Sequence, residues 1–210
     1  MKRRAIIFGL LAVVLLGGKV STAQNADRVN ATLHPCPGGT GSAEVETPTP
    51  TSLDQLVQMS ELIVVGTVAN VLPAINTNPK VLISIETHSL VAVEELLYGT
   101  LSPRPRTILL AQMGGKTGPC ALVVPADPLV QNFEQYIFFL RADDRTEIPN
   151  TSGSLRYVGV GKWGGKVKVV NGKIQFPPSA SPRLHEYDNA DSTAFVAAVK
   201  ERISVLLPIK

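Results

Sequence analysis

A hairpin signal in the last third of the chain constrains the fold more than any other feature of the sequence. The segments Lys166–Val170 and Lys173–Phe176 lie on either side of Asn171-Gly172. Asn-Gly between two apolar runs is the strongest short-range signal for a two-residue β-hairpin, because both residues accept the positive φ of a type I′ turn. The sequence therefore predicts two antiparallel strands here.

This hairpin also determines how the glycines before it are interpreted. Gly159, Gly161 and Gly164 have the G-x-G-x-x-G spacing of a dinucleotide-binding turn. Such a turn needs a helix N-terminus after the glycines to hold the pyrophosphate, whereas Lys166–Val170 is a poor helix former. A phosphate-binding loop of the Walker type is also excluded, because no Ser or Thr follows Gly161-Lys162. We expect these glycines to permit tight curvature in a β loop, with no nucleotide cofactor.

Other segments also predict short strands. Leu62–Leu72 is β-branched, and Gly66 in its middle predicts a bulge or a sharp bend. The remaining strand patterns are "VLISIETHSLVAVEELLYG", "RTILLAQMGG" and "NFEQYIFFLRADD". The chain is therefore expected to be mainly β.

Two helices are predicted at the ends of this β region. The first is short and follows Ser52, a plausible N-cap with Gln55 three residues later. The second is amphipathic and begins after a cap at Asp191 or Ser192. Its apolar face consists of Phe195, Val196, Val199, Ile203 and Leu206. We expect this helix to pack on the sheet or to close one end of a barrel.

The N-terminus carries the features of a secretory signal. A basic "MKRR" precedes an apolar run of 12 residues, Ala5–Leu16, and Ser21 and Ala23 occupy the small-residue positions of a cleavage site. Twelve residues form a helix of roughly 18 Å, which is shorter than the hydrocarbon core of roughly 30 Å. We predict a signal peptide at 1–23 that is cleaved near Ala23, with an uncleaved anchor as the alternative. The mature form would have no stable membrane span and would be secreted, periplasmic or at the cell surface.

Cleavage would remove the basic character of the chain. Four of the 20 Lys and Arg residues lie in residues 1–23, which leaves 16 basic residues against 17 acidic ones. A nucleic-acid or anionic-lipid partner needs a basic face. The composition of the mature chain therefore argues against both partners.

Residues 24–52 are rich in Pro, Gly and Thr and are expected to form an extended leader before a domain at 53–207. The two cysteines are Cys36 in the leader and Cys120 in the domain. In an exported protein, one pair most simply forms a disulfide, which would tie the leader to the domain. Two free thiols are the alternative.

Few side chains suggest chemistry. His34 lies near Cys36, but a structural zinc site needs four ligands and no second pair exists. His88 falls on the exposed phase of an alternating strand, so a surface position is expected. Asp143-Asp144 follows a strand and predicts a solvated turn. No metal site is predicted.

His185 lies near Asp188 and Asp191. Asp before a helix is an ordinary capping residue, although an acid–base pair or a calcium site remains an alternative. The sequence contains no G-x-S-x-G or H-E-x-x-H motif. No catalytic residue is assigned, and the chain is expected not to be an enzyme.

Five segments in order, "SELIVVGTVANV", "LVAVEELLYGTL", "TILLAQMGG", "EQYIFFLR" and "GGKVKVVNGKI", resemble a group of exported bacterial proteins of unknown function. That pattern is in turn similar to the OB barrel of tissue inhibitors of metalloproteinases and netrin-type modules. The resemblance spans Leu53 to Phe176 and implies a five-stranded OB-like barrel with a short N-terminal and a longer C-terminal helix. Inhibitors of that type chelate zinc through an N-terminal Cys, whereas the predicted mature N-terminus is Gln24 and Cys36 lies 12 residues inside. The resemblance therefore supports the fold and not the inhibitory activity.

The leading functional hypothesis is an exported, non-enzymatic binding module. OB barrels bind through loops and one strand face, so the loops "GVGKWGG" and "MGGKTGPC" are the candidate surface, with Lys162, Trp163 and Lys116 as candidate contacts. Trp163 is alternatively a lid over the core. The expected partner is an extracellular or periplasmic protein or glycan. The alternatives are a metalloproteinase inhibitor acting through its N-terminal segment, and a hydrolase built from His185, Asp188 and a distant serine.

Overall fold

The structure, a computed structural model, describes residues 29–31, 40–45, 49–78, 84–101, 106–145, 155–161 and 165–207. The strands in these ranges are β1 (Val29–Ala31), β2 (Thr40–Val45), β3 (Leu62–Val71), β4 (Ile75–Asn76), β5 (Ile85–Tyr98), β6 (Thr107–Met113), β7 (Gly115–Thr117), β8 (Cys120–Val123), β9 (Gln135–Ala142), β10 (Arg156–Gly159), β11 (Lys166–Val170) and β12 (Lys173–Gln175). The helices are α1 (Leu53–Gln58), α2 (Pro182–His185) and α3 (Ser192–Leu206).

Five strands close into a barrel. The long strand β3 pairs antiparallel with β5 on one side and with β9 on the other. β5 pairs antiparallel with β6, and β6 pairs in parallel with β10, where Leu109 lies opposite Arg156. The antiparallel pairing of β10 with β9 closes the ring. This connectivity, with one parallel pair between the third and fifth barrel strands, confirms the predicted OB-like barrel.

The side chains of β9 alternate between two separate apolar cores. Phe138 and Leu140 belong to the apolar cluster inside the barrel, with Val64, Val91 and Leu110. Ile137 and Phe139 belong to a second cluster on the outer side of the sheet. Because successive side chains of a strand point to opposite faces, one aromatic strand supplies both cores.

The helices cover the second core. Ser52 caps α1 by accepting a hydrogen bond from the Gln55 N–H at 3.3 Å. Asp191 caps α3, whose Phe195 and Val199 are buried. Phe195 meets the ring of Phe176 edge-on, with centroids 5.9 Å apart. Both predicted helices are confirmed, and α3 packs on the sheet. In the ranges that the structure describes, no helix has the length and apolar character needed to cross a membrane.

Two local backbone predictions are also confirmed. The β3–β5 register shifts between Val65 and Gly66, and a Cβ on Gly66 would lie 2.7 Å from the Ala92 carbonyl oxygen. The β11–β12 hairpin turns through Asn171 and Gly172, whose φ angles are 52° and 74°. Positive φ at both central residues is the type I′ geometry that Asn-Gly favours.

A second, smaller sheet joins part of the leader to the domain. β2 pairs in parallel with β8, with Thr40 opposite Ala121, and the strand order is β1-β2-β8-β7. Cys120 begins β8, and no cysteine of the described part of the chain is free. Cys36 and the predicted signal peptide at 1–23 lie outside the described residues, so the Cys36–Cys120 bridge stays a prediction.

Phe133 has a backbone conformation that is unfavourable for phenylalanine. Its φ is 67°, its side chain is 82% exposed, and its N–H donates to the Val68 carbonyl oxygen at 2.8 Å.

We expect Phe133→Asn to raise the free energy of unfolding by about 1 kcal/mol, because Asn tolerates the left-handed region. Urea denaturation measures this. Phe133→Ala is the matched control, since it removes the ring and keeps the strain. Equal stabilisation by both variants would show that the exposed ring, not the backbone, is unfavourable.

Candidate functional site

A cavity of about 320 Å³ is lined in part by residues of the barrel strands β5 and β6. Val91 of β5 and Leu110 of β6 face the barrel interior, so Glu86, Ala111 and Met113 lie on the opposite face by alternation. The chain that follows β9 forms another wall. The lining residues are Glu86, Ala111, Gln112, Met113, Val124, Asp127, Arg141, Ala142, Asp143, Asp144, Arg145, Val158, Gly159 and Lys166. We call it the charged cavity.

Asp143 is the centre of a buried ion network in the wall of the charged cavity. Its side chain is 3% exposed, and its Oδ2 lies 2.7 Å from both Arg156 Nε and Arg145 Nη2. Its Oδ1 accepts from Arg145 Nε at 2.8 Å. Burial raises the pKa of Asp143, but the hydrogen bonds and charge of Arg145, together with Arg156, outweigh burial and hold the pKa below its ordinary value of 3.8. Asp143 is therefore a fixed anion.

Arg145 connects this network to strand β5. While two of its nitrogens bond Asp143, its Nη1 donates to Glu86, whose side chain is 6% exposed. Glu86 in turn lies 3.5 Å from Nε2 of His88. The hydrogen bond to Asp143 and the charge of Glu86 raise the pKa of the Arg145 guanidinium. One arginine thus fixes the segment after β9 against the outer face of the barrel.

A second buried ion pair also lines the charged cavity. Lys166, at the start of β11, forms an ion pair with Asp127 and donates to the Pro128 carbonyl oxygen at 3.0 Å. Burial lowers the pKa of the Lys166 ammonium, and the adjacent Asp127 carboxylate opposes that shift. This pair ties the loop before β9 to the strand that follows the glycine-rich stretch.

The residues predicted to form the binding surface do not share one position relative to the charged cavity. Lys116 is exposed on β7 and is not among the residues that line the charged cavity. Lys162 and Trp163 lie outside the described residues. The two flanks of their loop, Gly159 and Lys166, line the charged cavity. One of the two predicted loops therefore begins and ends at this site.

Two expectations from the sequence are wrong. His88 was expected at the surface but is 5% exposed, and Asp143 was expected in a solvated turn but is buried. Asp143 is enclosed by Arg145 and Arg156, and His88 lies beside Glu86, with which Arg145 pairs. The sequence signal for this site is weak, because it consists of Arg156 and Lys166, two single cations beside apolar strand residues.

The polar side chains around His185 contact one another and backbone groups. Its Nδ1 lies 2.7 Å from Asp188 Oδ2, while Asp188 Oδ1 accepts the Phe176 N–H at 2.7 Å. Asp191 caps α3 by accepting from the N–H groups of Thr193 and Ala194. The carboxylates therefore hold backbone at the start of α3. Within the described ranges, no group of three or more His, Cys, Asp or Glu side chains is arranged to hold a metal ion.

Comparison with known proteins adds no functional assignment. No family model matches the chain, and no curated protein resembles it in sequence. The OB-like barrel by itself does not specify a function, because the same architecture hosts many. The charged cavity and the residues around it are therefore the basis for a functional proposal.

Proposed function

We propose that this protein is an exported, non-enzymatic binding module and that the charged cavity is its ligand site. The observation that carries the proposal is a cavity of about 320 Å³ that combines apolar lining with buried, fixed charges. Small-ligand sites typically begin at about 300 Å³ and combine apolar walls with a few convergent polar groups. OB barrels use the face of their second and third strands, here β5 and β6, for binding. The expected partner is an extracytoplasmic protein or glycan.

The chemistry of the charged groups supports binding rather than catalysis. A general acid or base works best with a pKa near the operating pH. The pKa of Asp143 is instead lowered, and both of its oxygens are occupied by arginine nitrogens. Asp143 therefore serves to hold the wall of the charged cavity, which a recognition site requires.

Charge reversal at the rim tests this proposal. The labelled mature protein is applied to a glycan array and cross-linked to secreted and periplasmic proteins. We expect Arg141→Glu to weaken the affinity for any captured partner about tenfold or more, because it places a negative charge at the entrance. Lys173→Glu on β12 is the matched control, since Lys173 is exposed and does not line the charged cavity. Equal affinity of wild type and Arg141→Glu, or equal loss in both variants, would reject the proposal.

An intact mass and a non-reducing peptide map test the exported form. We expect a chain beginning at Gln24 with a Cys36–Cys120 disulfide, and reduction should lower the free energy of unfolding by about 2–4 kcal/mol. The pairing of Thr40 with Ala121 supports this, since β2 brings the leader beside Cys120. A start at Cys36 with a free amine would instead favour the inhibitor hypothesis. Free thiols in the exported protein would remove the bridge.

A further inference from the structure

The buried charges of the charged cavity are already matched with one another. Among the described residues, Arg145 pairs with Glu86 and Asp143, Arg156 pairs with Asp143, and Lys166 pairs with Asp127. Within these ranges the pairs join three carboxylates and three cations. Because each of these buried charges lies beside an opposite charge, the pairs contribute shape and rigidity to the charged cavity.

Two charged side chains of the lining remain available. Arg141 and Asp144 are both exposed and both line the charged cavity. Neither forms an ion pair with another residue of the described ranges. They lie three positions apart, at the end of β9 and just beyond it, on either side of the buried Asp143. The rim thus presents one positive and one negative group with unused hydrogen-bonding capacity.

Apolar residues line the cavity beside these two charges. Ala111 and Met113 of β6, Val124 after β8 and Val158 of β10 contribute this surface. An unbranched or branched aliphatic group of a few carbons gains free energy by leaving water for such a wall. The site therefore offers three complementary features: a guanidinium, a carboxylate and an apolar surface.

We propose that the charged cavity selects a zwitterion, namely a group that carries one carboxylate and one ammonium next to an aliphatic chain. The carboxylate of the ligand binds Arg141, its ammonium binds Asp144, and its aliphatic part lies on the apolar wall. A free amino acid with an aliphatic side chain has this chemistry. This inference rests on the proposed function, because it names the ligand class of the same site.

Charge balance also specifies what the site rejects. A polyanion would place further negative charge against Asp144, and a polycation would place further positive charge against Arg141. Like charges brought together in this way oppose binding, which is a common source of specificity. A ligand that is neutral overall but carries both charges meets neither penalty.

Three matched small molecules test the proposal on the mature protein. Norleucine carries both charges, hexanoate has the same chain without the ammonium, and pentylamine lacks the carboxylate. Ligand-observed NMR titration measures each dissociation constant. We expect norleucine to bind about tenfold or more tightly than either analogue, because charge-assisted hydrogen bonds are the strong ones. Equal binding of all three, or of norleucine and hexanoate, overturns the proposal.

Two variants assign each charge to its partner. Arg141→Gln should remove the advantage of norleucine over pentylamine and keep its advantage over hexanoate. Asp144→Asn should do the opposite. Both residues are exposed, so both variants should fold, and unchanged thermal unfolding checks this. Lys173→Gln is the control that leaves all three constants unchanged. A uniform loss of affinity for all three molecules in either variant contradicts the assignment.

Failure of this inference can be told apart from failure of the proposed function. If norleucine does not bind but Arg141→Glu still abolishes binding of a captured glycan or protein, the zwitterion proposal is wrong and the charged cavity remains a ligand site. If norleucine does not bind and Arg141→Glu has no effect on partner binding, both are wrong.

Discussion

Asp143→Ala is expected to lower the free energy of unfolding by about 3–5 kcal/mol, the cost of breaking a buried ion pair. The substitution leaves Arg156, whose side chain is 5% exposed, without the carboxylate that lies 2.7 Å from its Nε. It also removes one of the two carboxylates that hold Arg145, the other being Glu86. Urea denaturation of both proteins at neutral pH measures the difference.

Asp144→Ala is the matched control for this experiment. The residue is adjacent, has the same side chain and is exposed, so its loss should change stability by no more than about 0.5 kcal/mol. A similar effect of the two substitutions would mean that the buried network contributes no more to stability than a surface charge does.

The stability that Asp143 contributes should also depend on pH. Its pKa in the folded protein lies below the ordinary value of 3.8, so the contribution is present above that value and is lost as pH falls through the folded pKa. We therefore expect the stability difference between wild type and Asp143→Ala to shrink at acid pH. The difference is the useful quantity, because Glu134 also has a lowered pKa and affects both proteins alike. A difference that stays constant from pH 7 to pH 2 would contradict this account.

Gly165→Ala is the second substitution with a large expected effect, a loss of about 3 kcal/mol or failure to fold. A Cβ at this position would lie 2.5 Å from the Val160 nitrogen and 2.6 Å from the Phe139 carbonyl oxygen. Both contacts are backbone atoms that cannot rotate away. The Gly165 carbonyl oxygen also accepts a hydrogen bond from the Phe139 N–H at 2.8 Å. This bond lies on the edge of β9 that pairs with β10 and β11.

Gly159→Ala is the control for Gly165→Ala. At Gly159 the nearest contact of a Cβ would be the Lys166 side chain at 3.9 Å, an ordinary distance. Thermal unfolding of the two variants should therefore separate clearly. Similar melting temperatures would show that the backbone around Gly165 can move apart to make room for a Cβ. Of Gly159 and Gly165, the one with less room for a Cβ, Gly165, is not part of the G-x-G-x-x-G spacing.

The local structure could be predicted because its causes lie within a few residues. Asn171-Gly172 specifies a turn through its own φ preferences, and Ser52 and Asp191 cap helices through N–H groups two or three positions away. Alternation in "EQYIFFLR" predicts a strand with two apolar faces. Such signals predicted the long strands, the β11–β12 hairpin and helices α1 and α3, and by their order the mainly β class, whereas β1, β2, β10 and α2 were not predicted.

The charged cavity was decided by tertiary structure alone. Arg145 and Glu86 are 59 residues apart in sequence, and the Lys166–Pro128 hydrogen bond spans 38 residues. Whether a charge on a strand is solvated or buried depends on what packs against it, and sequence periodicity carries no such information. For that reason His88 and Asp143 were expected at the surface and are buried. The sequence by itself determined the long strands, the Asn-Gly turn and the two capped helices, and only closure of the barrel brought the distant charges together.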